Sequence, residues 1–143
     1  MSISSIPLLL VDDEPNGLLV HSMVLEQAGY AVAAAANAAQ ALHMAARTDF
    51  HVALVNHPLS GSSTEGLKLL AQLRDFHPLT VSMLMTVCEG TLIGFRTAQA
   101  GAFAFLTKPL SDEALLAAVR TALAERSRRE QAYQKPFKQT DHS

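Results

Sequence analysis

The sequence predicts a doubly wound α/β domain on a parallel sheet, and three observations carry the prediction. Short apolar runs alternate with longer amphipathic segments five times over. Each run is bounded by turn or helix-start residues. The chain has 143 residues with 49% hydrophobic and 17% charged, the size and composition of one globular domain. Strict βα alternation requires right-handed crossovers, each burying one helix face, so helices cover both faces of the sheet.

Residues 6–11 are the first predicted strand, followed by a helix over 15–28 with Pro15 in its first turn. Gly29 ends that helix, and residues 30–34 and 37–47 make the second strand and helix. Ten alanines between 31 and 46 fit close packing of this pair against the sheet. Residues 51–55 form the third strand, and Ser62 with Glu65 at capping-box spacing opens a helix over 65–76. The fourth unit is 81–85 with a helix over 90–100 that Gly101 ends. The fifth is 102–106, with Ser111 ahead of Asp112 and Glu113 opening a helix over 112–129. That helix carries the clearest apolar stripe, through Leu115, Val119, Ala122 and Leu123. From about 130 the periodicity is lost, so the domain is expected over 5–126, with 127–143 a helix end and basic tail or linker.

Composition excludes several classes. The longest apolar runs fall far short of the roughly 20 residues that span a bilayer, so no membrane association is expected. The start lacks the basic region of a secretory signal, and the lone Cys88 has no internal disulfide partner, which makes the cytoplasm the expected location and Cys88 an inert thiol. Residues 1–124 carry six Lys/Arg against ten Asp/Glu, whereas 125–143 carry five against three. An acidic body argues against direct nucleic-acid binding. No Gly-Lys-Ser/Thr and no G-x-G is present, which excludes the P-loop and the dinucleotide fingerprint.

In an open parallel sheet the functional crevice lies outside the carboxyl ends of the strands. Asp12 and Asp13 follow the first strand, Asn56 the third, Thr86 the fourth and Lys108-Pro109 the fifth. Paired carboxylates at one edge repel unless a cation offsets them, and oxygen ligands of this kind suit Mg²⁺, though Lys108 supplies part of the charge. Singly, each residue has an ordinary explanation. The acids cap a helix and complement its dipole, Lys108 is a solvated loop lysine, and Thr86 merely ends a strand. A flavin phosphate would be repelled by Asp12-Asp13-Glu14, and a hydrolase with Asp12 as nucleophile lacks its other motifs.

Three stretches give the set a context: Leu10-Val-Asp-Asp-Glu-Pro, Met85-Thr, and Ala100-Gly-Ala-Phe-Ala-Phe-Leu-Thr-Lys-Pro. Over about residues 5–126 the sequence resembles the receiver domain of bacterial two-component response regulators. The resemblance implies sheet order 2-1-3-4-5, a Mg²⁺ site, and phosphoryl transfer from a histidine kinase to an aspartate after the third strand. It assigns Asp12 and Asp13 to the acidic metal pair, Thr86 to the switch hydroxyl, Phe105 to the switch aromatic and Lys108 to the lysine of the motif, and implies a cis peptide before Pro109. It implies a signalling surface over about 90–126 for an output domain or protein partner, and no enzyme activity.

The sequence departs from that pattern where the chemistry sits. Asn56 occupies the phosphoacceptor position, and a neutral amide neither attacks phosphorus nor helps hold Mg²⁺ as a carboxylate does. Gly66 lies ten residues after Asn56 instead of eight, with Pro58 early, so the facing loop is longer. Val87 stands where a small residue is usual and is expected to narrow the entrance. The expectation is therefore an atypical receiver acting through protein–protein interaction, with weak Mg²⁺ binding and Lys108 paired to Asp12 or Asp13. The alternative is a conventional phosphorelay receiver that binds Mg²⁺ and is phosphorylated at a restored or relocated acceptor, with Ser60, Ser62, Ser63 and His57 nearby.

Overall fold

A computed structural model describes residues 5–87, 96 and 98–141, with side chains through residue 133. The elements in chain order are β1 (Pro7–Val11), α1 (Pro15–Gln27), β2 (Ala31–Ala35), α2 (Ala38–Ala45), β3 (Val52–His57), α3 (Glu65–Phe76), β4 (Val81–Thr86), β5 (Ala104–Thr107) and α4 (Asp112–Asp141). All five strands are parallel, in order β2-β1-β3-β4-β5. The expected helix over 90–100 and Cys88 lie mostly or wholly outside the described residues.

The period-2 alternation of each strand divides the core into two layers. Leu9, Val11, Ala53, Val55 and Leu84 face α2 and α3, meeting Ala41, Ala45, Leu69, Leu70 and Leu73. Leu8, Leu10, Val52, Leu54, Met83 and Met85 face the other way, toward Leu25 of α1 and Leu115, Val119 and Ala122 of α4. Strands β3 and β4 are buried along their whole length, which is why they read as unbroken apolar runs. Helix α1 has no charged residue before Glu26 and leaves Leu19, Val20 and Met23 exposed.

Helix starts follow local chemistry. Asn37 caps α2 by accepting from the Gln40 N–H at 2.8 Å. Ser111 caps α4 by accepting from Ala114 at 3.0 Å. Ser62 Oγ accepts from the N–H groups of Thr64 and Glu65 ahead of α3, at 3.1 and 3.2 Å. Gly101, at φ 92°, adopts a left-handed backbone, and a Cβ there would lie 2.5 Å from Arg74 Cδ. Gly101→Ala is therefore expected to cost about 1–2 kcal/mol, the penalty of a left-handed non-glycine residue. A urea midpoint equal to wild type would refute this.

Several boundaries differ from expectation. Strand β3 runs to His57 and β4 to Thr86, because Asn56 and His57 continue the ladder opposite Met85 and Thr86. Helix α4 runs past 129 to Asp141. Arg126 lies against the sheet, 4% exposed, and charged pairs carry the next turns: Glu125 with Arg128 and Arg129, and Arg126 with Glu130. The bonds from Arg128 and Arg129 hold the Glu125 carboxyl down at about 2. Its folded value lies below its ordinary one, so its contribution is complete above the ordinary value and is lost as pH falls toward about 2. Helical circular dichroism should decline across that acid window, and a signal unchanged down to its lower end would contradict the pairing.

Candidate functional site

The carboxyl ends of β1, β3, β4 and β5 bring Asp12, Asp13, Asn56, Thr86 and Lys108 to one edge of the sheet. Asp12 follows β1 directly and its N–H joins the ladder by donating to Ala35 O at 3.0 Å. It is 3% exposed, and its Oδ1 accepts from the Glu14 N–H at 2.9 Å. Burial pushes the Asp12 carboxyl up, opposed by that hydrogen bond and by the Lys108 ammonium. Gly17 in the first turns of α1 makes room for this carboxylate, since a Cβ there would sit 2.7 Å from Asp12 Oδ2.

Asn56 is 5% exposed, and alternation turns its side chain to the same face as Val52 and Leu54. Its Nδ2 donates to Asp13 Oδ1 at 3.1 Å and to the Pro58 carbonyl at 3.2 Å. Its Oδ1 accepts a hydrogen bond from Lys108 Nζ. Lys108 is held by its own N–H, which donates to Thr86 O at 2.8 Å, and the Lys108–Pro109 peptide is cis. The expected direct pairing of Lys108 with Asp12 or Asp13 is therefore replaced. The amide stands between ammonium and acid, and only a group with both a donor and an acceptor end can bond to both.

The remaining residues frame this relay. Thr86 is fully buried at the end of β4, opposite His57 on one side and Thr107 on the other. Phe105 lies on edge strand β5 opposite Leu84 and is 39% exposed. Val87 is exposed at the rim. His57 is buried, its Nδ1 has no hydrogen-bond partner among the described residues, and burial with the Lys108 charge pushes its imidazole down. The loop after β3 is an ordered turn: the His57–Pro58 peptide is cis, Ser62 N–H donates to Leu59 O at 2.9 Å, and Leu59 is fully buried. Ser60 and Gly61 take positive φ at its tip. Gly66 permits close approach of α3, since a Cβ there would lie 3.1 Å from Asn56 O. Gly17 and the relay itself were missed by sequence reasoning; a glycine beside an acidic pair at a helix start was the one available signal.

A divalent cation among these residues needs oxygens directed at it. Here the Asn56 oxygen points to Lys108, its N–H groups point to Asp13 and Pro58 O, and Asp12 Oδ1 accepts from a backbone N–H. Among the described residues no three His, Cys, Asp or Glu side chains converge. As arranged, the residues do not fit Mg²⁺, because the third position presents hydrogens where the ion would require a lone pair.

The fold, with an acidic pair, a hydroxyl and a lysine at the carboxyl edge of a 2-1-3-4-5 sheet, defines a flavodoxin-like signalling domain. Residues 8–120 match the response regulator receiver domain family, and the chain belongs to it. Receiver domains serve two-component systems, interacting with histidine kinases and output domains. The chain is 33% identical over 116 residues to the transcriptional regulatory protein GlrR of Escherichia coli (strain K12), covering 81% of this chain and 26% of that protein. It is equally identical to the transcriptional regulatory protein YkoG of Bacillus subtilis (strain 168), covering 50% of that protein. Thus it spans between a quarter and a half of these relatives. A CheY-like receiver domain protein from Methanospirillum hungatei JF-1 superposes with a TM-score of 0.81 at 27% identity, over 87% of this chain and 98% of that one. No helix of the described residues is long and apolar enough to cross a membrane.

Proposed function

We propose that this chain is a pseudo-receiver: a two-component signalling domain whose phosphoacceptor position is closed by a Lys108–Asn56–Asp13 relay and which acts through protein–protein interaction. The carrying observation is the two-sided bonding of the Asn56 amide, which donates to Asp13 and accepts from Lys108. An amide nitrogen and oxygen share one delocalised system and make a poor nucleophile toward phosphorus, whereas a carboxylate makes a good one. The relay also offsets part of the charge at this edge internally, with Lys108 supplying positive charge where Mg²⁺ supplies it when a carboxylate stands at this position.

Partner contact is assigned to residues 90–126, of which 90–95 and 97 lie outside the described residues. Exposed Val87 borders that segment, and exposed Phe103 and Phe105 lie within it. The partner is a histidine kinase, another signalling protein or an output domain. A transcriptional output fits the relatives, with nucleic acid contacted by the output domain rather than by this acidic body. The cytoplasm is the compartment this role requires.

Calorimetric titration with Mg²⁺ tests the reading. Wild type is expected to bind at least about tenfold more weakly than Asn56→Asp, a difference of about 1.4 kcal/mol for one restored carboxylate ligand. Equal affinities would mean that Asn56 does not limit the site.

A further inference from the structure

We propose that Arg126 and Arg129 form a clamp that holds α4 beyond the end of the sheet, making residues 127–133 a stiff helical arm instead of a flexible linker. The Arg126 side chain is 5% exposed. Its guanidinium donates to Asp49 at 2.8 and 3.3 Å, to Glu130 Oε2 at 2.7 Å and to the Phe50 carbonyl at 3.1 Å. Arg129 donates to Glu125 at 2.8 Å and to the carbonyls of Thr80 and Pro78 at 3.2 and 3.3 Å. Thr80 Oγ1 also donates to Phe50 O at 2.7 Å, so the loops entering β3 and β4 are tied to each other and to one helix.

The position of Arg126 makes this arrangement informative. It lies three residues after Leu123 and seven after Val119, on the stripe that seats α4 against the sheet. A buried guanidinium is tolerated only where its donors are satisfied, and this one is satisfied in a single register of the helix. Beyond Leu123 no described residue of the helix joins the apolar core, and an isolated helix shorter than about 12–15 residues is marginal in water. The pairs Glu125–Arg128, Glu125–Arg129 and Arg126–Glu130 lie within the helix itself and give it only slight support. The clamp supplies the tertiary anchor those turns otherwise lack. Because it grips the entries to β3 and β4, the strands that carry Asn56 and Thr86, the arm is joined to the rigid centre of the sheet.

Hydrogen exchange on the full chain tests the clamp. In wild type, amides 127–133 should be protected well above unstructured peptides, and Arg126→Met with Arg129→Met should lower that protection by at least about tenfold while leaving 115–123 protected. Free exchange at 127–133 in wild type, or unchanged protection in the double variant, would overturn the proposal. Should the double variant lose protection at 115–123 as well, Asp49→Asn with Glu130→Gln decides. Both substitutions keep an acceptor oxygen for Arg126 and remove only the charge, so faster exchange confined to 127–133 supports the clamp and no change refutes it.

Discussion

Asn56→Asp is expected to destabilise the metal-free domain by about 1–3 kcal/mol, the range for a buried polar contact left unsatisfied. The substitution changes one atom, yet it reverses the polarity of the side of residue 56 that faces Asp13. Asn56 Nδ2 now supplies hydrogens to Asp13 Oδ1 and to the Pro58 carbonyl. An aspartate offers only lone pairs there, and places a third carboxylate beside Asp12 and Asp13. Its bond from Lys108 becomes charge-assisted and offsets part of the loss, but one ammonium then serves three acids. Urea unfolding in the presence of a chelator measures the difference. A metal-free variant as stable as wild type would show that the Asn56 bonds to Asp13 and Pro58 carry no weight.

Leu54→Ala is expected to cost about 2–5 kcal/mol, the span for truncating a fully buried leucine. Leu54 is unexposed at the middle of β3, the central strand, with Leu10 and Met83 beside it in register on β1 and β4. It belongs to the layer that also contains Leu115 and Val119 of α4. Strands on both sides restrain the backbone, so the site has little freedom to collapse around the lost volume. A loss below about 1 kcal/mol by chemical denaturation would mean that this layer tolerates a cavity.

The fold was legible because buried parallel strands must be apolar and crossover helices must be amphipathic, so the alternation of units is written directly in residue type. Helix starts at Asn37, Ser62 and Ser111 are local chemistry, and the last two were readable at their positions. Strand ends were less legible. Asn56 and His57 look like loop residues, but the ladder with Met85 and Thr86 carries them into β3. The site was legible as a set of residues at one edge and illegible as a bonding pattern. Charge alone suggests that Lys108 meets an aspartate; the structure places between them an amide 52 residues away in sequence, which bonds to both. Arg126 was hidden by its type, since arginine among other basic residues suggests a solvated tail. Its spacing from Val119 and Leu123 carried the opposite signal, and the bonds to Asp49 and Phe50 explain which signal prevails.

On the pseudo-receiver proposal, phosphoryl transfer is the chemistry that the Asn56 relay removes, and intact mass after incubation with acetyl phosphate and Mg²⁺ reads it directly. Wild type is expected to keep its mass, while Asn56→Asp gains one phosphoryl group. A phosphoryl group on the unmodified wild-type chain, mapped to Ser60, Ser62, Ser63, His57 or any other residue, would contradict the pseudo-receiver reading and restore the conventional phosphorelay in its place.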